Sequence, residues 1–121
     1  MVAQGARDAV AAYGERVAAR HLTDDGMEIL DRNWRCRDGE IDIVARDLDA
    51  LVFCEVKTRR TTDYGTPADA VVASKARRLR RLAAAWLAAH DVHAPDIRFD
   101  VVGVVPRPSG AACVEHLRAA F

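Results

Sequence analysis

The chain opens on a helical pattern. Over residues 5–22, Ala6, Val10, Gly14, Val17 and His21 recur at helical spacing, and Ala11, Ala18 and Leu22 widen the same apolar arc. Thr23-Asp24-Asp25-Gly26 then reads as a stop and a turn. Residues 27–34, MEILDRNW, predict a first strand, and residues 36–39 a polar turn. Ile41–Ala45 and Leu51–Val56 are β-rich runs around Asp47-Leu48-Asp49-Ala50, a hairpin pattern whose turn lacks glycine. A polar loop spans residues 58–65. Thr66-Pro67-Ala68-Asp69 reads as a helix start, with Thr as cap, Pro in the first turn and a carboxylate beside it. The helix it opens, with room for a break near Ser74, runs to about His90. Its apolar face is Val72, Ala76, Leu79, Ala83 and Trp86. Residues 97–105 predict a strand reached by a crossover long enough for a parallel neighbour. A loop at residues 106–110 and a short strand at 112–116 complete the order α-β-β-β-α-β-β, a mixed sheet flanked by helices.

Composition narrows the class. A chain of 121 residues, half of them hydrophobic and 30% charged, is one domain's worth of sequence, 1–121, with enough apolar material for a core. The N-terminus MVAQGARDAV holds no apolar leader, and the longest apolar run, Leu82–Ala89, is too short to span a bilayer. Cys36, Cys54 and Cys113 are scattered, which suggests neither a disulfide framework nor a zinc knuckle. The expected setting is the cytoplasm, away from membranes. The formal net charge of zero argues against a protein that coats nucleic acid non-specifically, and leaves a local basic surface open.

The strongest chemistry comes from pairing the hairpin. With a two-residue loop at Leu48-Asp49, Ile41 faces Val56, Ile43 faces Cys54 and Ala45 faces Val52, all apolar pairs. The same register sets Asp42 opposite Glu55 and Glu40 opposite Lys57, so Asp42, Glu55 and Lys57 share a face. Two ionised carboxylates at roughly 4.5–5.5 Å between Cβ atoms need a cation or a shared proton. All-oxygen ligands suit Mg²⁺ or Mn²⁺. The chemistry that fits is phosphodiester hydrolysis, with a metal-polarised phosphate and Lys57 orienting or deprotonating the attacking water. The bland alternative is a charge ladder on a surface hairpin, with Lys57 paired to Glu40 or Glu55. The string Glu-x-Lys is common by chance; an Asp opposite its Glu on an apolar hairpin is not.

Gly39-Glu40-Ile41-Asp42-Ile43-Val44 followed by Val52-Phe53-Cys54-Glu55-Val56-Lys57-Thr58-Arg59 resembles the Asp…Glu-x-Lys signature of restriction-endonuclease-like, PD-(D/E)xK, nucleases. More closely, the chain resembles the bacterial YraN family of predicted endonucleases, distantly similar to archaeal Holliday-junction resolvases. The likeness extends over nearly the whole chain. It includes Gly14-Glu15, Asn33, Gly65-x-Pro67, Lys75, Arg98-Phe99-Asp100-Val101 and the Ala120-Phe121 end. It implies an α/β restriction-endonuclease-like core with the metal site on the central hairpin. It also implies that Glu15 joins Asp42 and Glu55 as a metal-site residue. Helical spacing agrees, because Glu15 falls beside Ala11, Ala18 and Leu22, where a carboxylate is costly without a partner. Pairing with Arg7 or Arg16 is the alternative.

Basic residues cluster after the Glu-x-Lys strand. Arg59, Arg60, Lys75, Arg77, Arg78, Arg80 and Arg81 place 7 of the 18 basic residues within 23 positions. Arg59, Arg60, Lys75 and Arg78 are the candidate phosphate-binding rim, Lys75 foremost; Arg77 and Arg81 read as solvated helix face. No aromatics interleave with them, so stacking on single-stranded bases is not indicated. His90 and His93, three apart at a helix end, read as carbonyl-capping rather than metal-binding. His21 and His116 read as isolated and structural, and Cys54 as a buried hydrophobe. Asp100 lies in an apolar strand, either supporting the site or capping a turn. The polar loop 58–65 is expected to move until nucleic acid binds.

These expectations combine into a Mg²⁺- or Mn²⁺-dependent endonuclease for branched or structured DNA, with Asp42, Glu55 and Glu15 at the metal, Lys57 as catalytic amine and Glu40 in support. Cutting both strands would call for a homodimer. A catalytically silent nucleic-acid-binding module and a protein-interaction adaptor on the same fold are the rival readings.

Overall fold

In the computed structural model, residues 2–59 and 73–121 are described. Helix α1 (Val2–Asp24) precedes strands β1 (Glu28–Cys36), β2 (Gly39–Asp47) and β3 (Ala50–Thr58); helix α2 (Ala73–Ala89) and strands β4 (Asp96–Val105) and β5 (Cys113–Leu117) follow. The element order is the one the patterning predicts. The capping sequence Thr66–Asp69, the Gly65-x-Pro67 turn and most of the polar loop lie outside the described residues.

The five strands order as β1-β2-β3-β4-β5. Among the described residues only β3 and β4 run parallel, on either side of the crossover that carries α2; the other neighbours are antiparallel. This mixed α/β sheet is consistent with the restriction-endonuclease-like core that the resemblance implies. Among the described residues no helix is long and apolar enough to cross a membrane.

The hairpin takes the predicted register from Asp47↔Ala50 to Ile43↔Cys54. It is not a one-faced surface hairpin, however. Ile43, Ala45, Val52 and Cys54 pack with Ala18 and Leu22 of α1. Val44, Leu51 and Phe53 pack with Leu79, Leu82 and Trp86 of α2. All seven hairpin residues are at most 1% exposed. Central strands under helices on both faces read as near-continuous apolar runs, and Val44, Leu51 and Phe53 supply the second half of that run. A large side chain fully buried in this way contributes about 1.5–3 kcal/mol.

One detail departs from strict alternation. Ile41 belongs to the α2 cluster and Ile43 to the α1 cluster, although they stand two residues apart on one strand. The alternation therefore slips between them, at Asp42, and the expected Ile41–Val56 apolar pair does not form part of one continuous face. Opposite this point β1 is irregular too. Asn33, flanked by the pairs Arg32↔Ile43 and Trp34↔Ile41, adopts φ 52°. That left-handed conformation costs an L-residue on the order of 1–3 kcal/mol, and Asn tolerates it best after glycine.

On the other flank, α1 lies close to the sheet through small residues. Gly14, Ala18 and Ala19 are buried, and Ala11, expected in the apolar arc, is exposed. A Cβ at Gly14 would stand 1.6 Å from Thr58 Oγ1, so only glycine permits this approach to the end of β3.

Candidate functional site

Three elements meet where β3 ends. Gly14 seats α1 against Thr58, and the next residue, Glu15, is thereby presented to the open end of the hairpin. There a cleft of about 450 Å³ is lined by Glu15, Asp42, Glu55 and Lys57, with Val10, Ala11, Val56 and Thr58 as its apolar and hydroxyl walls.

The slip at Asp42 sets the geometry. Its carboxylate accepts the Val56 amide at 2.8 Å, taking a strand N–H with a side chain. Glu15, Glu40 and Asp42 each bring a carboxylate oxygen within 4.8 Å of the others. Asn33 ties this group together: its Nδ2 donates to Glu15 Oε2 at 2.6 Å, Glu15 Oε1 at 3.0 Å and Glu40 Oε1 at 2.9 Å. Glu15 thus has a partner in the Asn33 amide, which answers the cost of its half-buried position. Glu40 turns toward β1, where Arg35 lies 3.1 Å away, and not toward Lys57 as cross-strand pairing predicts. The Arg35↔Glu40 strand pair, formed on the other side of β2, is the reason.

Glu55 stands apart from the close trio and engages amines. Lys57 Nζ lies 3.5 Å and Lys75 Nζ 3.7 Å from the same oxygen, Glu55 Oε1. Lys75, expected in the phosphate-binding rim, therefore reaches an acid that lines the cleft, from the start of α2. Burial holds its ammonium below the ordinary lysine range; the hydrogen bond with Lys57 adds to this and the Glu55 charge opposes it.

Electrostatically the centre of the cleft is Asp42. Its pKa is pushed up to about 7, chiefly by burial; the charges of Glu55, Glu15 and Glu40 add to the rise and the Val56 N–H works against it. The donor set fits a hard divalent ion. It is all oxygen, and octahedral ligands at 2.0–2.1 Å from Mg²⁺ stand about 3.0–4.2 Å apart, the scale of the Glu15–Glu40–Asp42 grouping.

The remaining candidates disperse. Arg59 is fixed by its backbone, whose N–H donates to Val104 O at 2.9 Å. Arg78 is exposed on α2, and Arg60 lies outside the described residues. Sequence reasoning missed a second basic surface. A groove that shares Ala11, Glu15 and Asp42 with the cleft is lined by Arg16, Arg32, Arg35 and Glu40. It also gave Asn33 no role; an asparagine inside a predicted strand, where it is unfavourable, was the available signal. Cys54 is fully buried as expected. His90 does cap its helix, with Nδ1 2.7 Å from Trp86 O, and stacks on that indole at 4.1 Å; His93 is exposed beside Asp91. Asp100 caps the Ala119 N–H at 3.0 Å and binds Arg98 and His116, away from the carboxylate trio. His21 and His116 are not isolated, standing 3.2 Å apart.

Residues 14–104 match the profile described as "Uncharacterised protein family UPF0102". A UPF0102 protein of Frankia alni is 60% identical over 121 residues, covering 99% of this chain and all of the relative. One of Beutenbergia cavernae is 59% identical over 113 residues, 93% of this chain and 96% of its own length. One of Kineococcus radiotolerans is 58% identical over 118 residues, 97% of each.

Proposed function

The chain belongs to the UPF0102 family, and from its cleft we propose that it is a Mg²⁺- or Mn²⁺-dependent endonuclease acting on branched or structured DNA. The observation that carries this reading is Asp42. An aspartate held near pH 7 by burial and three neighbouring carboxylates is poised to exchange its proton for a divalent cation.

In this reading Asp42, Glu15 and Glu40 hold the ion, with Glu55 facing them from β3. Glu40, expected only in support, becomes a ligand candidate because its oxygen is in the close group. The chemistry the ion supplies is Lewis-acid polarisation of a phosphoryl oxygen. Lys57 orients the attacking water and stabilises charge developing at the phosphate. Glu55 positions Lys57, and Lys75 shares the work of neutralising phosphate. Asn33 sets the Glu15 and Glu40 carboxylates. Arg16, Arg32 and Arg35 offer a path for the sugar–phosphate backbone leading into the cleft.

The test is nicking of supercoiled and four-way-junction DNA, with Mn²⁺ or Mg²⁺, by wild type, Asp42→Ala and Lys57→Ala. Both variants should lose nicking, and the rise in Tm caused by Mn²⁺ should survive Lys57→Ala but not Asp42→Ala. A Mn²⁺ response without nicking on any substrate would leave a binding module. No Mn²⁺ response and no DNA affinity would leave the adaptor reading and overturn the metal site.

A further inference from the structure

A second group of metal-ligating side chains lies toward the hairpin turn, outside the cleft. His21 on α1, Asp25 in the turn after it and His116 on β5 each bring one ligand atom within 4.8 Å of the others. His21 Nε2 and His116 Nδ1 face each other at 3.2 Å, with the rings 78° apart.

We infer that His21 Nε2, His116 Nδ1 and a carboxylate oxygen of Asp25 form a site for one borderline transition-metal ion, Zn²⁺ above all, which fastens β5 to the end of α1. Three observations lead there. The first is spacing: two imidazole nitrogens 2.0–2.1 Å from a tetrahedral Zn²⁺ stand about 3.3 Å apart, close to the separation seen.

The second is tautomer. Asp100 Oδ2 lies 2.7 Å from His116 Nε2 and holds the proton there, which leaves the lone pair of Nδ1 turned toward His21. Carboxylate–imidazole pairs of this kind orient metal ligands from behind. Asp100 is itself 0% exposed and fixed by Arg98, so the His116 ring has one stable orientation.

The third is charge. The ion-paired chain here runs Asp25–Arg118–Asp47–Arg98–Asp100. It sets three carboxylates against two guanidinium groups, and the excess negative charge ends on the two imidazoles. A cation there balances the network. Two imidazoles and one carboxylate select Zn²⁺, Co²⁺ or Ni²⁺ over the hard ions suited to the Asp42 cleft. Arg118 engages one oxygen of Asp25, and the carboxylate has two. This site is independent of the nuclease reading.

The experiment uses the full chain, stripped with chelator, as wild type and as Asp42→Ala. Zn²⁺ is titrated against a chromophoric chelator while imidazole nitrogens are followed by NMR. Asp42→Ala should bind one equivalent and wild type at least one, in both proteins shifting the rings of His21 and His116 and leaving His90 and His93 unmoved. His21→Gln, at a half-exposed position that leaves the His116–Asp100 pair intact, should weaken Zn²⁺ binding by about tenfold or more. Four outcomes would overturn the site: no binding, binding lost with Asp42, binding indifferent to His21→Gln, or shifts at His90 and His93. Any of these would mean that His21 and His116 share only a hydrogen bond.

Discussion

Asp42 on β2 and Asp100 on β4 are the same residue type on the two strands that flank β3, and the fold drives them in opposite directions. Asp100 is fully buried, yet its pKa is held down at about 2. Burial alone would raise it; hydrogen bonds from His116, Arg98 and the Ala119 N–H overcome that cost. Asp42, half-buried, is pushed up to about 7, because burial and three carboxylates outweigh the one N–H from Val56. Depth alone does not decide the charge state of a buried acid; the number and sign of its partners do. The Asp100 network is closed by protein cations. The Asp42 cleft is left short of them, the condition in which a site draws a ligand.

The largest effect is expected from Asp42→Ala, which should lower Mn²⁺-dependent nicking on the order of 10³-fold, read in single-turnover assays. Unchanged nicking would show that the close carboxylates are not the ion's ligands.

Next in size, Asp100→Ala leaves Arg98 and His116 without their shared acceptor and should cost about 3–5 kcal/mol in urea unfolding. The wild-type contribution has a pH signature. Because the folded pKa of about 2 lies below the ordinary 3.8, the stabilisation is complete above about pH 4. It is lost as pH falls toward 2.

Asp42→Asn tests the opposite sign. Between about pH 4 and 7 the folded protein holds a proton that the unfolded chain has released. In chelator, wild-type stability should therefore fall as pH rises through that window. Asn should remove the slope and stabilise the ion-free protein above pH 7, by at most about 4 kcal/mol. An unaltered pH profile would contradict the crowding argument.

The smallest effect is that of Gly14→Ala, about 1–2 kcal/mol, because the new Cβ collides with Thr58. Thr58→Ala should relieve only part of it, since Thr58 Cβ would still stand 2.8 Å away. The damage should fall on the cleft: the Tm rise with Mn²⁺ should shrink, while the acid limb due to Asp100 stays put. Damage spread equally over both would mean that α1 does not specifically position Glu15.

Local pattern carried far in this chain. Period-two runs and a two-residue loop were enough to name the hairpin register from Asp47↔Ala50 to Ile43↔Cys54, since one slip would have turned Ile43, Ala45, Val52 and Cys54 away from α1. Helical spacing placed Glu15 on the buried side of α1, and the cleft does contain Asp42, Glu55 and Lys57. Val44, Leu51 and Phe53 were harder to read, because an apolar run does not say whether one helix covers it or two.

Legible in the chain alone were the order of elements, the register of the hairpin from its turn to Ile43↔Cys54 and the identity of the acids and amines beside its open end. These follow from short-range periodicity and steric preference, which act between near neighbours. The fold in three dimensions set the slip of alternation at Asp42, the bridging of Glu15 and Glu40 by Asn33, the approach of Lys75 to Glu55 and the meeting of His21 with His116 across 95 positions. Those outcomes depend on how helices lie against a sheet and on which charges burial brings together. Both are settled by packing between residues far apart in the chain, where no local pattern reaches.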